Sequence, residues 1–490
     1  LGYYCFFRED SMDDTKLYSV GIDIGTSTSQ VIFSRLTVAN RAGRCSVPFV
    51  EIVDKEVIYR SPIHRTPMLN PWTIDGEALR TLVAEEYAAC GLRPDQLATG
   101  AVIITGEAAR KRNAALVLER LSGLAGDFVV ETAGPDLESA IAGRGSGAQR
   151  FSEETGAAVV NLDIGGGTTN AALFLAGELA AWGCLDIGGR QVEVSADGTV
   201  RAVSVGAQRI IRARRLPIRE GEKADRAALE ALCDGMNELL EQLTGLLPPS
   251  PLLEEIASPG STKFAAPPGA DIRYICFSGG VADCVYAPAE DDFAYGDIGV
   301  LLGRAIRRGR LLRDFRVAEA AETIRATVIG AGSYTTTISG STISYAEDLF
   351  PLKNIPLLRL NEGEEAACWS GDGGALLERV RWFLAQSDAD LAALAIQGRR
   401  DPEYAALRRL AETLAGTLDR TLPEGAPLLV IVRRDMAKAL GQRLAALLGA
   451  RRPVAVLDGI SADQGTFIDL GRPVMDGMAL PVVVKTLLFG

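Results

Sequence analysis

Apolar residues run from Tyr18 to Ile24, break at a Gly/Thr/Ser turn and resume at Val31–Phe33. Two apolar runs joined by a turn of small residues predict a β-hairpin. Val47–Tyr59 carries another strand pattern. Asp75 then precedes apolar positions at Leu79, Leu82, Val83 and Tyr87, a helical spacing that stops near Gly91. Further on, Ala101–Thr105 predicts a short buried strand, 107–121 a helix and Phe128–Val130 a strand. Pro135 suits the first turn of a helix reaching Gly143, because its missing N–H would have no helical partner there.

From Ala157 the pattern starts again. Asn161–Phe174 can be laid over Gly21–Ser34 so that Asp23 falls on Asp163, Ile24 on Ile164, Gly25 on Gly165 and Thr28 on Thr168. One hairpin written twice predicts a duplicated fold whose two related domains face each other across a cleft. Six prolines between Gly245 and Ala270 read as a surface loop, after which Ile272–Phe277 reads as a strand. Beyond Arg310 the hairpin does not recur, yet strand and helix patterns continue at Ala326–Ile329, Asn354–Leu358, Leu376–Leu384, Tyr404–Leu418, Leu428–Val432, Met436–Leu448 and Val454–Leu457. The expected division is therefore 17–156, 157–310 and a further α/β domain at 311–490, preceded by an N-terminal extension, 1–16, in which Met12 is a candidate start.

A length of 490 residues exceeds what one core usually organises, and 47% hydrophobic with 23% charged residues fits a soluble α/β protein. The net charge of −12 provides no global attraction to nucleic acid or anionic lipid, so neither is expected as a partner. Arg201, Arg209, Arg212, Arg214 and Arg215 read as a solvated helix face, since no aromatic residues interleave to stack bases. There is no apolar window of membrane-spanning length and no signal-like N-terminus, which predicts a cytoplasmic protein. Eight cysteines without a C-x-x-C pair read as reduced packing residues. The single histidine, His64, lies in Ser61–Pro67 and reads as a loop residue, which leaves no histidine-based triad or multi-histidine metal site.

The candidate chemistry lies in the two hairpin turns. In the first, Asp23 ends a strand and Gly25, Thr26, Ser27 and Thr28 offer backbone N–H groups and hydroxyls to phosphate oxygens. In the second, Asp163 precedes Gly165, Gly166, Gly167, Thr168 and Thr169, and three consecutive glycines leave a nest of donors with no side chain in the way. A lone Asp/Gly turn is common in hairpins. Two, one per duplicated unit, can hold a triphosphate between them while Asp23 and Asp163 bind Mg²⁺ through its water shell.

These hairpins resemble the two phosphate loops of the actin, hexokinase and heat-shock chaperone superfamily, which implies a duplicated actin-like, ribonuclease H-like ATPase core that binds ATP and Mg²⁺. The helix after Pro135 is similar to that superfamily's first connecting helix, and the resemblance places Glu138 near the attacking water. C-F-S-G-G-V-A at 276–282 resembles the adenosine motif, which implies Gly279, Gly280 and Val281 at the nucleoside. Y-G-D-I-G-V-L-L-G-R-A-I at 295–306 resembles the second connecting helix, V-I-G-A-G-S at 328–333 is a rival adenosine segment, and L-D-I-G-G-R at 185–190 reads as scaffold. Across nearly the whole chain the likeness is to the reactivating factors of ethanolamine ammonia-lyase, the EutA family. It is carried also by R-A-T-V-I-G-A-G-S at 325–333, S-G-S-T-I at 339–343 and I-D-L-G-R-P-V-M-D-G at 468–477. The resemblance implies an ATP-dependent, chaperone-like factor that releases damaged cobalamin from the lyase, in an ethanolamine-utilising cytoplasm where a bacterial microcompartment is a candidate location. Nothing in composition or spacing points to cobalamin, and self-association stays open.

Three other readings are open to a chain with such a site. A small-molecule kinase would need an acidic base in the cleft; Asp95 and Asp127 are free carboxylates, but each sits in a turn where a capping role is expected. An actin-like scaffold would need self-complementary surfaces. An activator of radical dehydratases would need cluster-binding cysteines, whereas Cys276 and Cys284 flank the nucleotide strand.

Overall fold

The computed structural model describes residues 15–25, 28–40, 50–70, 72–105, 108, 113–122, 124, 135–258, 264–267, 269–334, 337–338, 343–346, 349–387, 391–460, 467–474, 477 and 479–485. It is a mixed α/β structure built on three main sheets.

The first sheet contains β1 (Thr15–Ile24), β2 (Thr28–Asn40), β3 (Val50–Arg60) and the two-residue β4 (His64–Arg65). A small ribbon, β5 (Met68–Asn70) with β6 (Thr73–Ile74), leads to α1 (Gly76–Cys90), and the sheet is completed by β7 (Leu97–Ile104). Helix α1 starts where the Asp75 carboxylate accepts the Ala78 N–H and stops at Gly91, whose φ of 75° no β-carbon-bearing residue adopts comfortably. Its buried stripe, Leu79, Val83 and Tyr87, packs with Phe33 and Val102. The strand order is β3-β2-β1-β7, with β7 parallel to β1 and the rest antiparallel. Helix α2 (Ala114–Ser122) covers part of the predicted 107–121 helix, whereas Phe128–Val130 and the Tyr3–Phe7 region lie outside the described residues.

Helices α3 (Pro135–Gly145) and α4 (Ala148–Thr155) precede β8 (Ala158–Ile164), β9 (Thr169–Leu175) and β10 (Glu178–Leu185). A ribbon of β11 (Val192–Val194) and β12 (Val200–Val203) and helices α5 (Val205–Arg214), α6 (Arg226–Leu243) and α7 (Pro251–Ile256) follow. Then come β13 (Ile272–Ser278), α8 (Ala282–Tyr286), α9 (Gly299–Arg308), α10 (Arg310–Asp314) and β14 (Arg316–Val317). The order β10-β9-β8-β13-β14 repeats the first sheet's antiparallel hairpins flanked by a parallel strand. The proline-rich stretch is more than a loop: Pro251 at the first turn starts α7, and Ser258 then donates its hydroxyl to the Asp186 carboxylate at 2.6 Å. The arginines of α5 lie on its outer side, where Arg214 pairs with Glu238.

Helix α11 (Ala326–Tyr334) follows, so V-I-G-A-G-S is helical and not a strand. It packs against α3 and β1, while α3 packs against β8, β9 and β10; each helix therefore covers the sheet that its own chain segment does not come from. The crossing is close enough that a Cβ on Gly145 would sit 1.7 Å from the Ala326 carbonyl oxygen, and one on Gly330 2.0 Å from that of Ile141. This bridging position is the one expected of residues 295–306, but α9 lies against α6, α8 and α10. Glycines spaced in a short apolar segment serve a strand-to-nucleoside contact and a helix crossing equally well, and only the packing distinguishes them.

The third sheet runs from β15 (Thr337–Ile338) and β16 (Ile343–Tyr345) through β17 (Leu352–Arg359), β18 (Ala393–Ile396), β19 (Leu428–Val432) and β20 (Val454–Asp458) to β21 (Phe467–Leu470) and β22 (Pro481–Lys485). Strands β17 to β20 are parallel and adjacent in chain order. Helices α12 (Glu362–Ser370), α13 (Gly374–Ser387), α14 (Tyr404–Leu418) and α15 (Ala437–Leu448) pack on one face around Leu394, Val430 and Val456. The other face shares a core with the β21–β22 hairpin through Leu429, Ile468 and Val482. No helix among the described residues is long and apolar enough to cross a membrane.

The crossing predicts opposite effects of one substitution at two helical glycines. Gly416→Ala in α14 meets nothing within 4 Å and should stabilise by about 0.5–1 kcal/mol. Gly330→Ala gains the same helix propensity but forces α11 off α3, and should destabilise by about 1–3 kcal/mol. Denaturant midpoints of the two variants test this; a more stable Gly330→Ala protein would mean that the helices do not touch.

Candidate nucleotide cleft

The two hairpins match bond for bond. Gly25 N–H donates to the Thr28 carbonyl at 2.9 Å, and Gly165 N–H to that of Thr168 at 2.9 Å. In the ladders Asp23 stands opposite Gln30, and Asp163 opposite Asn170. All four line one cleft of about 440 Å³, together with Gly25, Thr28, Gly165, Gly166, Gly167, Thr168, Glu138, Gly279, Gly280 and Val281. Most of the predicted site residues are thus brought together; Thr26 and Ser27 lie outside the described residues. Thr169 is turned away from the cleft, its hydroxyl donating to the Ile187 carbonyl at 2.8 Å, because the strand's alternation directs neighbouring side chains to opposite faces.

Both carboxyls are buried, which raises their pKa from the usual 3.8: Asp23 to about 7 and Asp163 to about 6. A hydrogen bond from Thr105 at 3.0 Å opposes the shift at Asp23, and the charge of Asp163 across the cleft adds to it. Asp163 accepts from Ser278 at 2.7 Å and from Thr327 at 3.4 Å, and the Ser278 oxygen itself accepts from Asn161. The side-chain oxygens of Gln30 and Asn170 are buried without a hydrogen-bond partner. These facing amide oxygens and carboxylates suit a hydrated Mg²⁺, which takes oxygen ligands and retains most of its water. Among the described residues no three acidic, histidine or cysteine side chains cluster tightly enough for a direct metal cage.

The segment read as scaffold braces the second loop. Gly189 N–H donates to the Gly165 carbonyl at 3.0 Å, Arg190 N–H to that of Gly166 at 2.7 Å, and the Gln191 side chain to that of Gly167. With their carbonyls tied back, the Gly166 and Gly167 N–H groups are left for the cleft, that of Gly165 being spent on the Thr168 carbonyl. Thr66 does similar work on the first loop, donating to the Gly25 carbonyl at 2.7 Å. Behind them β13 is followed by Gly279, with φ of 84°, where a Cβ would lie 2.4 Å from the Ile164 carbonyl oxygen. Arg190 and Asp297 add a charged pair, 3.7 Å apart, to the same wall.

Thr105, Ser278, Thr327, Gln30, Asn170 and Arg190 were not singled out from the sequence. Only Gln30 and Asn170 carried a signal there, as equivalent positions of the repeated hairpin. His64 is more than a loop residue: it pairs with Ser29 in β4 and meets the Glu86 carboxylate at 2.7 Å. Asp95 lies in a short 3₁₀ turn, exposed and paired with Arg93, and Asp127 is outside the described residues. The described cysteines, Cys90, Cys184, Cys233, Cys276, Cys284 and Cys368, form no disulfide.

The family model for "Ethanolamine utilisation protein EutA" matches residues 15–490. The ethanolamine ammonia-lyase reactivase EutA of Escherichia coli (strain K12) is 38% identical over 480 residues, 98% of this chain and 100% of that protein. That of Salmonella typhimurium (strain LT2) is 38% identical over 488 residues, again 98% and 100%. Among solved structures, the Ppx/GppA phosphatase of Aquifex aeolicus, type II variant, aligns over 64% of this chain and 99% of its own at 13% identity, with a TM-score of 0.37.

In the folded protein Asp23 keeps a proton between pH 3.8 and about 7 that the unfolded chain has already released. Its contribution to stability is complete below the unfolded value and is lost as pH rises through the folded one. Asp23→Asn stays neutral throughout, so its melting temperature relative to wild type should be higher at pH 8 than at pH 5. Calorimetry at the two pH values checks this; an unchanged difference would show that the carboxyl is already ionised at pH 5.

Proposed function

We propose that this chain, which belongs to the ethanolamine utilisation protein EutA family, is an ethanolamine ammonia-lyase reactivase driven by Mg-ATP. The activity rests on 38% identity over almost the full length of two curated reactivases. The energy source rests on the paired hairpins: buried Asp23 and Asp163 stand across one cleft from each other, each beside an amide oxygen without a partner. This arrangement supports an actin-like ATPase core made of the first two sheets. Its end is best drawn after α11, because β14 and α11 pack with those sheets although they follow the boundary expected at residue 310.

Mg-ATP supplies a triphosphate whose hydrolysis changes what the two sheets hold between them. Asp23 and Asp163 hold the cation through its water, while the N–H groups of Gly166 and Gly167 and the Thr28 and Thr168 hydroxyls take phosphate oxygens. Gly279 and Gly280 leave room for the nucleoside. Glu138, buried on the cleft wall, orients the attacking water. A cobalamin held deep in the lyase leaves faster only if the reactivase binds an opened form of the lyase better than the closed form. Closing two sheets on the γ-phosphate and releasing them after hydrolysis alternates that preference. The kinase reading has no such support, since Asp95 is tied to Arg93 at the surface.

Lyase blocked with cyanocobalamin, given free adenosylcobalamin and this protein, should recover ammonia release with Mg-ATP and not without nucleotide. Asp163→Ala should abolish recovery and remove the Mg-ATP stabilisation, about 2.7 kcal/mol for wild type at a hundred times the dissociation constant. Recovery without ATP, or phosphorylation of a small metabolite in its place, would reject the reading. Glu138→Ala should slow hydrolysis about 10²-fold with nucleotide affinity little changed. Equal turnover would reduce Glu138 to a charge near the helix N-terminus.

A further inference from the structure

We propose that the loops at the carboxyl ends of β18 and β19 form a rigid arginine rim that docks an acidic face of the lyase; this rests on the reactivase reading above. The chain is acidic overall, at −12, yet the exposed Arg399, Arg400, Arg433, Arg434 and Lys438 stand here against Asp401, Glu403 and Asp435, with Arg400 3.8 Å from Asp401. The four arginines come from two loops that sequence order keeps apart and the sheet puts side by side, and Lys438 stands in the first turn of α15.

The rim is held in shape from beneath. Arg433 N–H donates to the Ile396 carbonyl at 3.1 Å and Arg434 N–H to that of Gln397 at 3.2 Å, which carries the β18–β19 pairing past the ends of both strands. Gly398, at φ of 73°, turns the first loop onto the second, where a Cβ would lie 2.6 Å from Val432 and 2.9 Å from the Met436 sulfur. The buried Glu365 carboxylate accepts the Gln397 and Gly398 N–H groups at 2.8 and 2.9 Å and the Trp369 indole N–H at 3.1 Å. The Arg399 guanidinium stacks 4.5 Å above the Trp369 ring. Tyr404, 71% exposed, opens α14 four residues after Arg400. Arginine and tyrosine on a pre-ordered surface are the composition of protein docking sites, because little side-chain entropy remains to be lost on binding.

A protein face suits this rim better than a small anion. Small ligands of open parallel sheets bind where the strand order reverses and neighbouring loops part to leave a crevice. Strands β17 to β20 follow one another without reversal, and their helices share one face, so the loops stay closed against each other.

The test measures association of the full chain with cyanocobalamin-blocked ethanolamine ammonia-lyase over a range of salt. Wild type should bind more slowly as salt rises. Arg400→Glu with Arg434→Glu should lower the association rate about tenfold or more and flatten the salt dependence. Mg-ATP affinity should stay the same, which also reports an intact fold; Arg433→Glu alone is the second variant if the pair melts early. Charge reversal on α5, Arg209→Glu with Arg212→Glu, should leave association unchanged. Rim variants that bind like wild type, or α5 variants that weaken equally, overturn the proposal while the reactivase reading stands. No binding by wild type overturns both.

Discussion

The contact on which the rest of the structure depends is the crossing of α3 and α11, where backbone meets backbone because Gly145 and Gly330 carry no side chain. Each helix is pressed onto the sheet of the other half, so the relation of the two sheets and the width of the cleft are set by one packing distance. The same pair carries the chemistry: Glu138 lies on α3, and Thr327 on α11 reaches Asp163. Lys55 on β3 adds a further tie, donating to the Ile329 carbonyl at 3.0 Å. A protein interior is packed too densely to deform smoothly, so any displacement at such a crossing would carry both helices as a unit.

Within the cleft, burial and repetition act together. A carboxylate taken out of water needs donors or a cation, and the protein gives each Asp hydroxyl donors from outside its own hairpin: Thr105 for Asp23, Ser278 and Thr327 for Asp163. The two halves are alike in register but differ in finish. The first turn depends on Thr66, whereas the second is tied back along three consecutive carbonyls by residues 189–191. The glycine-rich loop has no side chains of its own to hold it, and its neighbour supplies the stiffness.

What could be read in the sequence was what local pattern determines. The hairpins, Asp75 and Gly91 at the ends of α1, the strand at Ile272 and the spans Tyr404–Leu418 and Leu428–Val432 all announce themselves by periodicity and turn residues. What could not be read depends on partners far along the chain. Residues 328–333 show the same glycines whether they flank a nucleoside or cross a helix, and only α3, nearly two hundred residues earlier, settles which. Thr169 sits in the repeated motif, yet its place on the strand turns it away from the cleft and into the interior. Pro251 looked like a loop breaker and is a helix starter, because a first-turn N–H has no helical partner to lose. The hydroxyls that serve the carboxylates are single residues on three separate elements, with no spacing to give them away.

Helix α11 ends at Tyr334 and the third sheet begins at Thr337, whose strand β15 also lies against β3. A nine-residue helix is about 13 Å long, so turning it by about 10° around one end carries the other about 2 Å. The next described strand after that end belongs to an eight-stranded sheet held together by its hydrogen bonds. The helix is in mechanical terms a crank: a small turn at its cleft end would be lengthened along its axis into a larger displacement at the end nearer the third sheet.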